Sequence, residues 1–380
     1  LRVLFDVVPN HVHAEHSYFR ERPTDAGFNI ASPPCICGQG ACDWGRYIQT
    51  CWFAPYMPDL DWRDPATARR AVDDVTFWLD RFDADGVRID AVPMMPRAAT
   101  RRIVARLRER FEHPGNPLML LGENFTGPDG YASLRYHLGP YGLDSQFHFP
   151  LMWALRAAIA HGGQGLDAVA DAVRIGEESW AGSGAVMGTF IGNHDVTRFA
   201  SEASGDASGD GWEPAPQPTD AIVYKRQGLA LGLVFTLPGA PVVYYGDEVG
   251  LAGRGDPDSR RVLPAESELT APQRELRGLV EKLGRLRRCE PALRRGTYRL
   301  LSATTERYVF ARELGDRAAY VVAQREASAA APLPIPPGRY VEALSGRTAA
   351  LPDELTSAPG APFSVGVYLP EASPCAPSPP

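Results

Sequence analysis

Three carboxylates stand where apolar runs of this sequence end. Asp90 closes the run DGVRID, Glu123 lies in LGEN at the end of another run, and Asp195 follows VMGTFIG. Cleavage of a glycosidic bond uses two carboxyl groups across the bond, one as a nucleophile and the other as a proton donor. If the fold brings these side chains together, their types favour glycoside cleavage.

Arg88 lies two residues before Asp90 in the same predicted strand, so both side chains point to one face. Charged side chains are rarely buried without a partner. A cation within about 4–6 Å lowers the pKa of a carboxylate. We therefore expect Arg88 to orient Asp90 and to keep it ionised as the nucleophile. Glu123, which follows apolar Leu120 and Leu121, is the better candidate for the protonated acid.

Each of these polar residues also fits a structural role when it is taken alone. Asp90 and Arg88 could form a structural ion pair, and His11 could be a structural histidine. Glu123 could cap a helix, and the triplet NHD at 193–195 is typical of turns. Buried polar groups are costly without partners. Four strand ends that all carry such groups therefore favour one shared functional pocket.

Short continuous apolar runs alternate with helical patterns along most of the chain. Such runs are typical of parallel strands buried on both faces. The predicted strands are 2–8, 85–90, 118–124, 143–149, 186–192 and 240–246. The predicted helices are 64–82, 97–111, 151–160, 165–180, 220–237 and 271–288. This order predicts parallel β–α–β units, and in a (β/α)8 barrel the active site forms at the C-terminal ends of the strands.

The helix predicted over 64–82 has distinct sequence signals. Asp64 suits the N-cap and Pro65 suits the first helical position. We expect its apolar stripe to face the core. The stripe consists of Ala71, Val75, Trp78, Leu79 and Phe82.

Three regions interrupt or follow this pattern. Residues 12–62 are rich in Pro, Cys, Trp and Tyr and predict a loop-rich, Cys-rich domain inserted after a barrel strand. The catalytic barrel would then comprise residues 1–11 and 63–292. Alternating runs within 293–370 predict a sandwich-like antiparallel β domain, and 371–380 is expected to be a disordered tail.

Composition excludes some classes of function. The formal net charge is −7, which gives no electrostatic support for a nucleic-acid partner. The sequence contains no apolar run long enough for a transmembrane helix. The chain begins with LRVLFDVV, which resembles a strand inside a fold rather than an initiator or a signal peptide. We expect the natural protein to begin upstream of this point.

Four of the six cysteines, Cys35, Cys37, Cys42 and Cys51, lie close together. They could form two disulfides, in any of three pairings, or a structural zinc site. The C-x-C start lacks the usual zinc-site spacing and favours disulfides. Disulfides would imply an oxidising compartment, and a secreted or periplasmic protein.

Four segments, in order along the chain, resemble the four short motifs of the α-amylase family of retaining glycoside hydrolases. The segments are FDVVPNH (5–11), DGVRIDAV (85–92), LGEN (121–124) and FIGNHD (190–195). In addition, LPGAPVVYYGDEVGLAG (237–253) and DPDSRR (256–261) resemble the last barrel strand of that family and its loop. The resemblance covers roughly residues 1–295.

The resemblance implies roles for individual residues. Asp90 would be the nucleophile, Glu123 the general acid/base, and Asp195 the third carboxylate, which holds sugar hydroxyls. The residues expected to bind the same glucose unit are His11, Arg88 and His194. Asn10 and Asp59 resemble the family's structural calcium ligands, and oxygen ligands suit calcium. Four aromatic residues would either stack on sugars or pack the inserted domain, namely Trp52, Phe53, Tyr56 and Trp62.

Two features depart from the family pattern. Pro93 and Met94 replace a Lys-His pair that in many members contacts the next sugar or supplies a calcium-binding carbonyl. This favours relatives that act on short oligosaccharides or isomerise maltose to trehalose, and it weakens the calcium assignment. The family's first two barrel strands should also precede residue 1, so about six of the usual eight strands are expected here.

The expected fold is therefore α/β, a (β/α)8 TIM barrel lacking its first two β/α units, with the insertion and the C-terminal β domain. The expected activity is retaining hydrolysis of α-1,4-glucosidic bonds in starch, maltodextrins or malto-oligosaccharides, as part of carbohydrate metabolism. One alternative is a glucosyl transferase or isomerase that acts on maltose. Another is a non-catalytic glucan-binding relative, although such proteins usually lose a carboxylate and all three are present here.

Overall fold

A computed structural model of the chain describes residues 1–22, 26–32, 34–326, 333–351 and 361–377. The chain divides into two compact units. The first consists of Leu1–Phe149 and Ser179–Met187, and the second of Pro150–Glu178 and Gly188–Pro380. Among the described helices, none combines the length and the apolar character needed to cross a bilayer.

The first unit contains a parallel sheet whose strands follow one another in chain order, β1–β2–β3–β4. These strands are β1 (Leu4–Val7), β2 (Gly86–Ile89), β3 (Met119–Gly122) and β4 (Ser145–Gln146). Its helices are α1 (Ser17–Arg20), α2 (Trp44–Tyr47), α3 (Pro65–Phe82), α4 (Arg97–Phe111) and α5 (Tyr131–His137). Helices α3, α4 and α5 connect successive parallel strands, which confirms the predicted β–α–β units in this part of the chain.

Helix α3 begins and ends as its sequence signals require. The Asp64 carboxylate accepts a hydrogen bond from the Thr67 backbone N–H at 2.8 Å, and Pro65 occupies the first turn. The helix stops at Asp83, whose φ of 51° is left-handed. Its core face includes Ala71, Val75 and Leu79, as predicted.

The other part of the predicted stripe of α3 is not buried. Trp78 and Phe82 are 40% and 55% exposed, so the expectation that they face the core is wrong. Their rings contact each other and the ring of Phe5 on β1, at centroid distances of 5.5–5.7 Å. Because β1 stands at one end of the sheet order, these rings cover its flank and form an exposed aromatic patch.

The described part of the inserted region contains the short helices α1 and α2 and is cross-linked by two disulfides. Cys35 pairs with Cys42, and Cys37 pairs with Cys51. These pairings use the four sulfurs that the zinc alternative would need. Three of the four cysteines are buried and pack with Ala91 and Met94, directly after Asp90. Met94, at one of the two positions where many family members carry a polar pair, is therefore part of an apolar cluster with these cysteines.

The second unit is mainly helical around a short parallel strand pair. Its helices are α6 (Phe149–Leu155), α7 (Leu166–Ser179), α8 (Phe199–Ser204), α9 (Ala221–Thr236), α10 (Ala271–Cys289) and α11 (Pro291–Arg295). The first residue of α6, Phe149, and the last residue of α7, Ser179, are assigned to the first unit. Helix α6 continues into one π-helical turn at Arg156–Ala160. The runs predicted as strands at 186–192 and 240–246 are paired only over β5 (Gly188–Thr189) and β6 (Ala240–Pro241).

An antiparallel sheet completes the second unit. Its strand order is β11–β10–β12–β9–β8–β7. The strands are β7 (Thr297–Ala303), β8 (Arg307–Leu314), β9 (Arg317–Gln324), β10 (Gly338–Glu342), β11 (Thr348–Leu351) and β12 (Ser364–Pro370). Phe310 and Val321 of this sheet belong to the same hydrophobic core as Leu229 and Leu233 of α9. The predicted boundary at 292/293 is therefore not a break in packing.

The segment predicted as a disordered tail is anchored over its described part. Cys375 forms a disulfide with Cys289 at the end of α10, and the Ser373 hydroxyl donates to the Glu290 carboxylate at 3.4 Å. The prediction of disorder is therefore wrong for 371–377, because a cysteine pair separated by 86 residues ties this segment down. Residues 378–380 lie outside the described residues.

Removal of this long-range disulfide is expected to destabilise the protein measurably. A disulfide constrains the unfolded chain more strongly when its loop is longer, so Cys289→Ser with Cys375→Ser should cost about 2–4 kcal/mol in unfolding free energy. The matched control is Cys35→Ser with Cys42→Ser, which opens a loop of sequence separation 7. Calorimetric unfolding should show the larger loss for the first pair, and an equal or smaller loss would contradict this interpretation.

Candidate active site

Arg88 and Asp90 are in contact where β2 ends, as their spacing predicts. The Arg88 guanidinium donates to the Asp90 carboxylate and also to the Asp6 carboxylate, the latter at 2.8 Å. The Arg88 side chain is 12% exposed, whereas those of Asp90 and Asp6 are 25% and 56% exposed. Burial lowers the pKa of Arg88, but the charges of Asp90 and Asp6 outweigh it and hold that pKa above its usual value. The cation is therefore permanent and fixes one oxygen of Asp90.

Asp6 is a partner that the sequence reasoning missed. It lies opposite Arg88 in the parallel register of β1 and β2. One signal in the sequence could have revealed this pair, since β1 and β2 each contain one charged residue among apolar ones. Since Asp6 is the more exposed acid, it helps to orient the guanidinium from the solvent side.

A short backbone turn links Asp90 to Glu123. Ala91 has a φ of 49°, a left-handed conformation that is uncommon for a residue other than glycine and that often marks functional sites. Its backbone N–H donates to Glu123 Oε2 at 3.1 Å, and the Val92 N–H donates to the Glu123 carbonyl at 2.9 Å. The two carboxylates are thus held on adjoining strand ends by the peptide that follows Asp90. Glu123 is buried, with 6% of the residue exposed.

His11 lies in the same part of the first unit, after β1. Burial lowers the pKa of His11, while the negative charge of Asp90 acts in the opposite direction. The His11 ring stacks on Phe53 at a centroid distance of 6.2 Å. Within this unit, Arg88 therefore contacts Asp90, the peptide after Asp90 contacts Glu123, and the charge of Asp90 acts on His11.

The four aromatic residues of the insertion divide into two pairs. Trp52 and Trp62 are buried, and their indole N–H groups donate to the carbonyls of Asn29 and Pro9. These two tryptophans pack the insertion. Phe53 and Tyr56 are exposed, beside the rings of His11 and His13 respectively, so they have faces available for a ligand.

Asn10 and Asp59, the predicted calcium ligands, form a buried cluster with Asn29. Asp59 Oδ2 accepts from the Asn29 amide at 2.7 Å. Within the described residues, the buried Asp59 Oδ1 has no hydrogen-bond partner. Burial raises the pKa of Asp59 well above its usual value, although the hydrogen bond from Asn29 opposes this. One unsatisfied carboxylate oxygen among amide groups fits a hard cation such as calcium in ligand type.

His194 and Asp195 follow β5 in the second unit. The Asp195 N–H donates to the Asn193 side chain at 3.0 Å, which folds the triplet into a turn. Asp195 Oδ1 lies 3.2 Å from His194 Nε2 and 3.8 Å from Arg260 Nη2. Half-exposed Arg260 belongs to the segment DPDSRR, and its contact with Asp195 was not predicted from the sequence.

The loop that carries Arg260 is joined to the His194 backbone. Ser259 Oγ donates to the His194 carbonyl at 2.9 Å. Buried Arg198 donates to the Ser259 carbonyl at 2.9 Å and to the Tyr245 carbonyl at 2.7 Å, and lies 3.5 Å from Asp247. The segment YYGDE therefore supports the loop that contacts His194 and Asp195.

Comparison with known proteins identifies the family. A family model described as alpha amylase, catalytic domain, matches residues 1–292. The chain is 28% identical over 245 residues to a β/α-amylase of Paenibacillus polymyxa, covering 64% of this chain and 18% of that protein. It is 27% identical over 293 residues to a cyclomaltodextrin glucanotransferase of Niallia circulans, covering 72% of this chain and 35% of that protein. The chain thus spans about a third or less of the length of these curated relatives.

Solved structures agree on the fold. An α-amylase of Geobacillus thermoleovorans, complexed with acarbose, superposes with a TM-score of 0.77 at 23% identity, covering 97% of this chain and 77% of that chain. A cyclic α-maltosyl-(1→6)-maltose hydrolase of Arthrobacter globiformis gives 0.71 at 22% identity, covering 97% and 76%.

The expected fold class is therefore confirmed as that of the α-amylase domain, an α/β fold with parallel strands and a C-terminal antiparallel sheet. The absence of two β/α units stays a prediction. The match over residues 1–292, more than half of the sequence, shows that this chain belongs to the α-amylase family.

Proposed function

We propose that the protein containing this chain is a retaining glycosidase that cleaves α-1,4-glucosidic bonds in starch, maltodextrins or malto-oligosaccharides. The observation that carries the proposal is the local geometry of the two acids. Arg88 holds one oxygen of Asp90, and the next peptide N–H holds Glu123. Two carboxylates fixed on adjoining strand ends meet the first requirement of double displacement.

In the proposed first step, Asp90 attacks the anomeric carbon while Glu123 protonates the leaving oxygen. Asp90 is suited to attack because the Arg88 guanidinium holds one of its carboxylate oxygens in a fixed orientation. The bond to the leaving sugar breaks as a covalent glycosyl–Asp90 bond forms. Glu123 then removes a proton from water, which attacks the same carbon and releases a sugar of retained configuration.

The remaining polar residues are assigned to the substrate. Arg88, His11 and His194 would bind the glucose unit at the point of cleavage. Asp195 would hold sugar hydroxyls and bind them more strongly in the transition state, which lowers the barrier. These roles rest on the four motifs, and the contacts described within each unit are compatible with them.

A glucanotransferase is the second candidate function. The Niallia circulans relative is named a glucanotransferase. Transfer uses the same covalent intermediate, with a sugar hydroxyl in place of water. Incubation of the full-length protein with maltoheptaose separates the two. Short linear sugars alone would support hydrolysis, and longer or cyclic products would support transfer. Binding without turnover would favour the non-catalytic alternative.

We also propose that calcium binds at Asn10 and Asp59 and holds the insertion onto the end of β1. When the free calcium concentration is about one hundred times the Kd, binding stabilises the folded protein by about 2.7 kcal/mol. Chelation with EDTA should therefore lower Tm by about 3 °C for a chain of 380 residues. Asp59→Asn should lower Tm by a similar amount and remove the response to EDTA.

Asp61→Asn is the matched control for the calcium test. Asp61 is nearby in the sequence but pairs with exposed Arg63, so its loss should change stability little and preserve the response to EDTA. An identical Tm of the original protein in EDTA and in calcium would contradict the calcium proposal.

The disulfides of the insertion and of the C-terminal segment support an oxidising compartment. We therefore propose that the protein is secreted or periplasmic. Its partner would be an α-glucan or malto-oligosaccharide, rather than nucleic acid or a membrane.

A further inference from the structure

Arg156 is a buried arginine that spans the base of the loop carrying His194 and Asp195. Only 1% of the residue is exposed. Its Nη1 donates to the Ile191 carbonyl and its Nη2 donates to the Thr197 carbonyl, both at 2.6 Å. The guanidinium is a rigid planar fork, so two bonds from it fix the distance between the two carbonyls. The loop 192–196 is thus closed at both ends by one side chain.

The buried charge of Arg156 has a specific counter-ion. Its Nη2 also contacts the Glu202 carboxylate on α8, and the other oxygen of Glu202 lies 3.0 Å from His161 Nε2. A buried cation is costly unless it is paired. Helix α8 begins at Phe199, directly after the loop, so the ion pair also joins Arg156 to the next element.

Two local features make room for the Arg156 guanidinium between these carbonyls. The helix changes from α to π geometry at Arg156, and single π-helical turns occur frequently at functional sites. Gly192 lies against the guanidinium, since a Cβ at this position would come within 3.1 Å of Arg156 Nη1. Gly192 does not have a positive φ, so a glycine is needed here for lack of space and not for its backbone conformation.

We propose that Arg156 is a positioning residue that sets the placement of Asp195 through the loop backbone. This inference rests on the proposed function. Asp195 is 40% exposed, and its carboxylate contacts His194 of the same loop and half-exposed Arg260, so its position depends strongly on the loop backbone. A misplacement of about 1 Å can cost about a hundredfold in rate. Lysine at position 156 keeps the charge but, with a single nitrogen, does not reproduce the planar fork.

Arg312 provides a matched control. It is 2% exposed, and it likewise donates to two carbonyls, those of Thr236 at 2.7 Å and Gly296 at 2.9 Å. It lies on β8 in the antiparallel sheet. Arg312→Lys therefore removes an equivalent pair of bonds from a buried arginine that does not contact the 192–196 loop.

The test compares the full-length variants on maltoheptaose. Arg156→Lys should lower kcat by about 10–100-fold with KM changed less than about threefold, because Asp195 binds most strongly in the transition state. Arg312→Lys should retain kcat within about twofold, at a comparable loss of Tm. In the Asp195→Asn background, Arg156→Lys should lower kcat by less than about fivefold, because Asp195 and Arg156 act largely as a unit and only the placement of His194 is left to disturb.

Gly192→Ala is the second variant, in case Arg156→Lys does not fold. Its methyl group crowds the guanidinium, so it should lower kcat in the original protein and lower it much less in Asp195→Asn. Two results would overturn this inference and leave the proposed function standing. One is an equal loss of kcat in Arg156→Lys and Arg312→Lys. The other is a reduction of kcat by the same factor with and without the Asp195 carboxylate. If the full-length protein without substitutions turned over no α-glucan, the proposed function would be rejected, and this inference with it.

Discussion

Asp90→Asn is expected to lower kcat on maltoheptaose by about 10⁴-fold or more. The amide is a poor nucleophile, and loss of the group that forms the covalent intermediate has effects of this size in other enzymes. The Arg88 guanidinium would keep a bond to the amide oxygen, so the fold should persist. Steady-state kinetics and Tm of the full-length variant give the measurement.

Asp6→Asn is the matched control, because Asp6 is the other carboxylate on Arg88. It should lower kcat less than about tenfold, since a half-exposed ion pair contributes little. Comparable losses for Asp6→Asn and Asp90→Asn would show that the ion pair, rather than attack by Asp90, controls the rate. Normal turnover in Asp90→Asn would reject the nucleophile assignment.

Glu123→Gln is expected to lower kcat on maltoheptaose by about 10²–10⁴-fold, the usual range for loss of a general acid. The physical reason is that a sugar alkoxide leaves poorly without a proton. Fluoride needs no proton to leave, so the first turnover of α-maltosyl fluoride should be nearly as fast as in the original protein. Rapid-quench measurement of fluoride release checks this.

The Asp90→Asn protein supplies the comparison for this second prediction. It should be slow with both substrates, because attack on the anomeric carbon is lost whichever group leaves. If Glu123→Gln slowed the first release of fluoride as much as the cleavage of maltoheptaose, Glu123 would not be the proton donor.

Much of the first unit could be predicted because its signals are local. The N-cap Asp64 and Pro65 set the start of α3, and continuous apolar runs gave β1, β2 and β3 nearly at their observed bounds. Side chains two residues apart in a strand share a face. That single rule was sufficient to predict the contact between Arg88 and Asp90.

Other features depend on distant parts of the chain and leave no local signal. Trp78 and Phe82 fit the helical period of α3, but the period does not show that β1 stands at the end of the sheet order. The pairing of Cys289 with Cys375 could be suspected only from the even cysteine count. β5 and β6 are shorter than their apolar runs, and residues 240–245 of the second run are not fully buried.

The candidate site divides in the same way. The strand-end carboxylates were visible because polar residues after buried strands are costly and need a reason. Asp6, Arg156 and Arg260 were missed because their partners are set by register or by loops far along the chain. An arginine that donates to backbone carbonyls can bond any residue type, so no pattern of residue types in the sequence reveals its partner.

The most direct test of the central claim is to trap the glycosyl–enzyme intermediate. Full-length Glu123→Gln is incubated with α-maltosyl fluoride, digested, and analysed by peptide mass spectrometry. Fluoride leaves without an acid, while the loss of Glu123 slows attack by water, so the intermediate should accumulate. A maltosyl group on Asp90 is the expected result. A label on another residue, or none despite release of fluoride, would contradict double displacement through Asp90.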